Sequence, residues 1–131
     1  MIRVYTASKL HHWETWRDLQ REWPKVFFHA RWLRHIAIGT ADTPENAVSF
    51  WCEDEEDVAT ADAVLVFAEQ GEHLRGALVE AGIAIANNIP VVVVGEHPDY
   101  GTWQYHPGVA RVPDFPAAYT FLTQLQKDKR R

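Results

Sequence analysis

A single cysteine, Cys52, excludes an intramolecular disulfide and fits a reducing compartment. Long apolar runs are missing as well: the longest, Ala63–Ala68 and Ile89–Val94, are too short to cross a bilayer. With no charged-then-apolar leader at Met1, a cytoplasmic protein without a membrane partner is expected. No glycine-rich phosphate loop of the Walker or dinucleotide type occurs among the 7 glycines. Positive charge is in deficit, 13 Lys+Arg against 18 Asp+Glu, and the run Glu53-Asp54-Glu55-Glu56-Asp57 would repel a phosphate backbone. Double-stranded nucleic acid is therefore not an expected partner. The one basic cluster, Lys127-Asp128-Lys129-Arg130-Arg131, reads as a solvated tail. Metal-ligand spacing is also lacking. His11 and His12 are adjacent, so on a helix they project about 100° apart, and His97 and His106 have no cysteine near them. Neither a metal nor a cofactor is expected.

What is present is an alternation of strand and helix signals over 131 residues, the length of one domain spanning 1–131. Ile2–Thr6 reads as a strand. Trp13, Trp16, Leu19 and Trp23 fall at helical spacing in His12–Trp23, which Pro24 stops. Val26–His29 is a second strand, and Ala30–Thr40 stays open between a loop and a broken helix. Thr43-Pro44-Glu45 carries an N-cap, a first-turn proline and a dipole-favoured acid. A helix follows to about Thr60, with Val48, Trp51, Cys52, Val58 and Ala59 assigned to its buried face. Ala63–Phe67 and Pro90–Val94 are apolar throughout, as strands buried on both faces of a parallel sheet are. Leu74–Asn88 is the helix between them. Gly95–Gly108 reads as a loop, Val109–Val112 as a last strand and Pro116–Lys127 as a last helix. This pattern predicts an open five-stranded parallel α/β sheet of flavodoxin-like type, with helices on both faces. In such sheets ligands bind beyond the carboxyl ends of the strands at the topological switch point. That points to Thr6-Ala7-Ser8, His29–Trp32 and Ala68–Arg75.

In the twenty residues from Gly76 to Gly95, Glu80 is the only ionisable side chain. A carboxylate in an apolar helix costs several kcal/mol unless partners or a working role offset it. Gly76, Glu80 and Ala84 share one helical stripe, so the carboxylate sits in a slot between positions with little or no side chain. Glycine in a first turn loses about 1 kcal/mol against alanine, which implies close approach of a ligand or of a neighbouring element. Helix N-terminal amides near Leu74, with His73 and Arg75 alongside, suit an anion such as phosphate. Cys52, placed on the apolar face, reads as an inert buried thiol, and Arg31-Trp32 as packing residues near the pocket mouth.

These residues carry a family resemblance. Gly76-Ala77-Leu78-Val79-Glu80-Ala81-Gly82-Ile83-Ala84, followed by Asn88-Ile89-Pro90-Val91, resembles the G-x-x-x-E-x-G-x-A…K-P-V signature of nucleoside 2-deoxyribosyltransferases and the related deoxynucleoside 5'-phosphate N-hydrolases. Asp54 stands eight residues before Asp62 in Ala61-Asp62-Ala63-Val64-Leu65-Val66, as an acid does in that family, and Tyr5-Thr6-Ala7-Ser8 is similar to its first strand and turn. The resemblance covers residues 2 to about 94. It implies an enzyme that breaks or transfers the N-glycosidic bond of a (deoxy)nucleoside or (deoxy)nucleotide. Glu80 would attack the anomeric carbon and Asp54 would face the leaving base, with Glu55 in its place if the helix register differs by one. Tyr5, Thr6, Ala7, Ser8, His73, Arg75 and Gly76 would bind substrate. It also implies a homodimer or larger oligomer whose neighbouring subunit completes the pocket.

One position departs from the pattern. Six residues before the nucleophile the family carries aspartate or serine, and here stands Leu74. Two other readings therefore stay beside the first: hydrolysis of a ribosyl nucleotide of the NAD type, and a nucleotide sensor without turnover. The aromatic segment Tyr100–His106 reads as a lid, a base-stacking wall, a subunit contact or a cover for the sheet edge.

Overall fold

Strands β1 (Ile2–Ala7), β2 (Val26–Phe28), β3 (Ala63–Phe67), β4 (Val91–Val94) and β5 (Val109–Val112) form one parallel sheet in the order β2-β1-β3-β4-β5. The computed structural model describes residues 1–40 and 43–129. Arg130 and Arg131 of the basic tail lie outside the described residues. The helices are α1 (Trp13–Glu22), α2 (Arg31–Ala37), α3 (Pro44–Ala59), α4 (Gly76–Ala86) and α5 (Phe115–Lys129). This is the expected open α/β sheet, in a single domain, with the topological switch between β1 and β3. No helix among the described residues is long and apolar enough to cross a membrane.

Alternation along β1 decides what each face of the sheet holds. Tyr5 turns toward α4, where its hydroxyl reaches Glu80. On the other face Trp16 of α1, fully buried, packs edge-on against Phe28, Phe67 and Phe115. The spaced tryptophans of α1 thus belong to the core as expected, Trp16 and Trp23 fully and Trp13 at its border. The two apolar strands are buried from end to end, Val64–Val66 and Val91–Val94 on both faces.

Three local expectations need correction. Ala30–Thr40 contains a regular helix, α2, whose N-terminus has no side-chain cap. Tertiary bonds fix it instead: the Trp32 indole donates to the Thr6 carbonyl at 2.9 Å, and the Arg31 amide donates to Asp57 Oδ2 at 2.8 Å. Second, α4 begins at Gly76 rather than Leu74, because Arg75 is non-helical (φ −131, ψ −81) and the Leu74 amide donates to Asp99 Oδ2 at 2.7 Å. Third, the buried face assigned to α3 is largely exposed: Val48, Trp51, Cys52 and Ala59 all meet solvent, and of the five only Val58 is in the core. The reason is geometric. α3 packs chiefly against α2 and α4, so only its last turn reaches the central core.

The segment Tyr100–His106 folds into short 3-10 turns on the β5 side of the sheet. Tyr100 is buried and donates to the Val94 carbonyl at 2.7 Å, and the Arg111 guanidinium lies 4.4 Å from the Tyr105 ring centroid. It covers the sheet there.

Candidate active site

A pocket of about 400 Å³ opens beyond the carboxyl ends of β1 and β3, where the strand order reverses. Glu80 from α4, Asp54 from α3, Ser8 after β1, and Arg75 and Gly76 at the start of α4 all line it. Five of the nine residues proposed from sequence are thereby brought together. Trp32 of α2 with Phe50 and Trp51 of α3 give the pocket three aromatic faces, and Lys9, Leu10, Ala47, Leu74 and Ala77 complete the lining. A volume of this size accommodates a nucleoside-sized molecule.

Glu80 is 7 % exposed and accepts a hydrogen bond from the Tyr5 hydroxyl. Burial pushes its carboxyl up to about 8 from the ordinary 4.5. The Tyr5 bond acts in the other direction by favouring the ionised form. No cation pairs with Glu80 among the described residues, so its desolvation is offset by one phenol alone. Asp54 is raised to about 6, first by burial and then by the charges of Asp57 and Glu53, with His35 and Arg31 pulling the other way. Its neighbours in the acidic run are otherwise engaged: Glu53 with His35 at 2.7 Å, and Glu56 and Asp57 with Arg31 at 3.0 and 2.9 Å. Glu55 is exposed and absent from the lining. The register of α3 thus turns Asp54 to the pocket and Glu55 to solvent.

The Gly76 slot is also explained by α3. A Cβ at Gly76 would lie 3.4 Å from the Trp51 ring, in ordinary van der Waals contact, so this indole is the element packed nearest the glycine. Trp51, Phe50 and Ala47 are pocket residues that the sequence reading did not place there. Their spacing from Asp54 along α3 is the signal available, since 47, 50, 51 and 54 share one helical face.

The other candidates lie elsewhere. Thr6 projects to the face opposite Glu80, buried, with no protein partner for its Oγ1 among the described residues. Ala7 is buried behind the lining, and Tyr5 contributes through Glu80. His73 is exposed and faces Asp99 at 3.7 Å rather than the pocket. Asp99 also occupies the Leu74 amide, so a carboxylate already stands where an anion was expected to use that amide and His73. Asp62 lies at the amino end of β3, bonded to the Arg3 amide and to Lys129.

No family model matches the chain, and no curated protein matches it in sequence. Among solved structures the chain is similar to BlsM, determined in solution, with a TM-score of 0.69 and 19 % identity over 98 % of this chain and 94 % of BlsM. It is also similar to a conserved protein of Enterococcus faecalis V583, with a TM-score of 0.57 and 13 % identity over 98 % of this chain and 99 % of that one. Both likenesses establish the fold: an open, doubly flanked parallel sheet spanning the whole chain.

Proposed function

We propose that this protein cleaves or transfers the N-glycosidic bond of a nucleoside or nucleotide, with Glu80 as nucleophile and Asp54 as the acid facing the leaving base. The observation that carries this reading is a desolvated carboxylate, with no ion-pair partner among the described residues, lining a nucleoside-sized pocket with three aromatic faces. An oxocarbenium-like transition state places positive charge on the sugar, and a buried carboxylate without a competing cation stabilises that charge strongly. Tyr5 holds Glu80 in one orientation. Trp32, Phe50 and Trp51 supply faces on which a base stacks.

The two pKa directions define the chemistry further. Departure of the base needs a proton on Asp54, whose pKa stands at about 6, and attack needs Glu80 ionised, with its own at about 8. The competent pair of states is then a minor population, offset by a more basic nucleophile and a more acidic donor. Base release should follow a bell with limbs near these two values and fall on either side.

The deciding experiment is incubation with a panel of deoxynucleosides, ribonucleosides, their 5'-monophosphates and NAD, with chromatographic detection of free base. Release from at least one substrate is expected, lowered at least about a thousand-fold in Glu80→Ala. Acid quenching during turnover should leave a sugar ester on the peptide containing Glu80. No release from any substrate, or equal release by Glu80→Ala, rejects the proposal. The buried Leu74 in the lining, where the resembling enzymes carry a polar residue, favours one second reading, a nucleotide sensor. Calorimetric binding without product formation would establish it.

A further inference from the structure

Outside the proposed reaction stands a second cluster. His11 and His12 close the 3-10 turn after β1, and Glu69 and Glu72 lie in the loop between β3 and α4. One ligand-type atom from each of the four lies within 4.8 Å of all the others. The histidines do not diverge as their adjacency suggests: the ring centroids are 4.1 Å apart, and both Nε2 atoms converge on one carboxylate. His11 Nε2 lies 2.9 Å from Glu72 Oε2 and His12 Nε2 lies 2.9 Å from Glu72 Oε1.

We propose that His11, His12, Glu72 and Glu69 form a binding site for one divalent transition-metal ion of the zinc type, clasping the two loops that wall the pocket. Two imidazoles and two carboxylates are the donor set that borderline cations such as Zn²⁺ accept, and the two negative charges match a dication. In a tetrahedral site with bonds of about 2.0–2.2 Å, donor atoms stand roughly 3.3 Å apart. The histidine–Glu72 separations of 2.9 Å need to open by only a few tenths of an ångström to admit the ion, and the wider ones in the group, up to 4.8 Å, to close around it. The supporting shell is already built. Glu72 Oε1 accepts the Glu69 amide at 2.7 Å, which orients the carboxylate, and the His12 ring, 4 % exposed as a residue, packs edge-on to Phe67 with centroids 5.0 Å apart. Such orienting contacts are what a metal ligand requires of its surroundings. His11 remains open to solvent, which gives the ion a path of entry.

The position gives the ion a consequence. Two residues before His11, Lys9 lines the pocket, as Leu10 does, and two residues after Glu72 comes Leu74 of the same lining. An ion held by both loops fixes the distance between these walls, whatever molecule the pocket takes.

The test uses the tag-free full chain, stripped with chelator and titrated with Zn²⁺ and Co²⁺ alone. One ion per chain is expected, with a rise in Tm of about 5–10 °C at saturating Zn²⁺. Co²⁺ should show visible d–d absorption of a low-coordinate nitrogen and oxygen site. His11→Gln and Glu72→Gln should each weaken binding about a hundredfold and abolish the Co²⁺ band. His11 is exposed, so its variant leaves the core intact and separates loss of binding from loss of fold. Absence of saturable one-to-one binding, or unchanged affinity and Co²⁺ spectrum in His11→Gln, overturns the proposal.

Discussion

Two carboxylates on adjacent helices are buried to nearly the same degree and treated in opposite ways. Asp57 near the end of α3 is 3 % exposed and Glu80 of α4 is 7 % exposed. Asp57 receives the Arg31 amide and the Arg31 guanidinium, with a second carboxylate, Glu56, sharing the cation. Among the described residues Glu80 receives one phenolic hydroxyl and no cation. The first arrangement is how a fold keeps a buried charge: it supplies a counter-ion and fills the remaining lone pairs. The second leaves the group strongly perturbed inside a pocket, which is the pattern of a residue held for binding or chemistry. Burial alone therefore does not mark a site. What marks it is burial that the protein declines to neutralise.

The comparison breaks most visibly if Glu80 stops being a liability. An acid whose pKa rises from 4.5 to about 8 on folding stays protonated in the fold while the unfolded chain ionises, so stability falls as pH climbs between those values. Below about 4.5 the two states bind the proton alike, and above about 8 the loss is complete. Glu80→Gln should remove this slope, gaining about 4 kcal/mol relative to the parent at pH 9 over the difference at pH 5, read from urea unfolding at both values. An unchanged pH dependence would place Glu80 with Asp57 as a satisfied carboxylate. The converse substitution acts on the partnered site. Arg31→Ala strips Asp57 of its counter-ion and should destabilise the protein by about 2 kcal/mol, less than a fully buried pair because the arginine side chain is 45 % exposed. Thermal unfolding at pH 7 measures it. Within the acidic run, Asp54→Asn should lower base release about tenfold and abolish its fall at alkaline pH, so that the rate rises to a plateau above about 8, while leaving Tm within a degree or two. Glu55→Gln, one position along and exposed, should change neither rate nor stability beyond about 0.5 kcal/mol. If Asp54 and Glu55 behave alike, the pocket-facing register of α3 has no functional meaning.

Much of this architecture is legible in the chain because its causes are local. Ala63–Phe67 and Val91–Val94 are legible as strands, since unbroken apolar runs of that length suit the buried middle of a parallel sheet. Thr43 caps α3, accepting the Asn46 amide at 3.2 Å, and Asn88 ends the α4 segment in a left-handed conformation (φ 57), both as their side chains dictate. Glu80 announces itself by contrast with its neighbours. Other features were not legible, because they depend on what lies across space. α2 has no cap of its own and forms on bonds to Thr6 and Asp57, 26 residues away in either direction. The amphipathic pattern of α3 misled, as Trp51 serves the pocket and not the core.

The sequence by itself determined the alternation of elements, the parallel sheet and the one carboxylate out of place on α4. These follow from side-chain shape, period and polarity acting over a few residues. Only the tertiary structure decided which acid of Glu53–Asp57 faces Glu80's pocket, which pairs with Arg31, and that Trp51 packs beside position 76. It also folded His11 and His12 onto Glu72. Each of those outcomes is a meeting of groups distant in the chain, and their meeting is set by how helices pack across the sheet, a quantity that no local pattern contains.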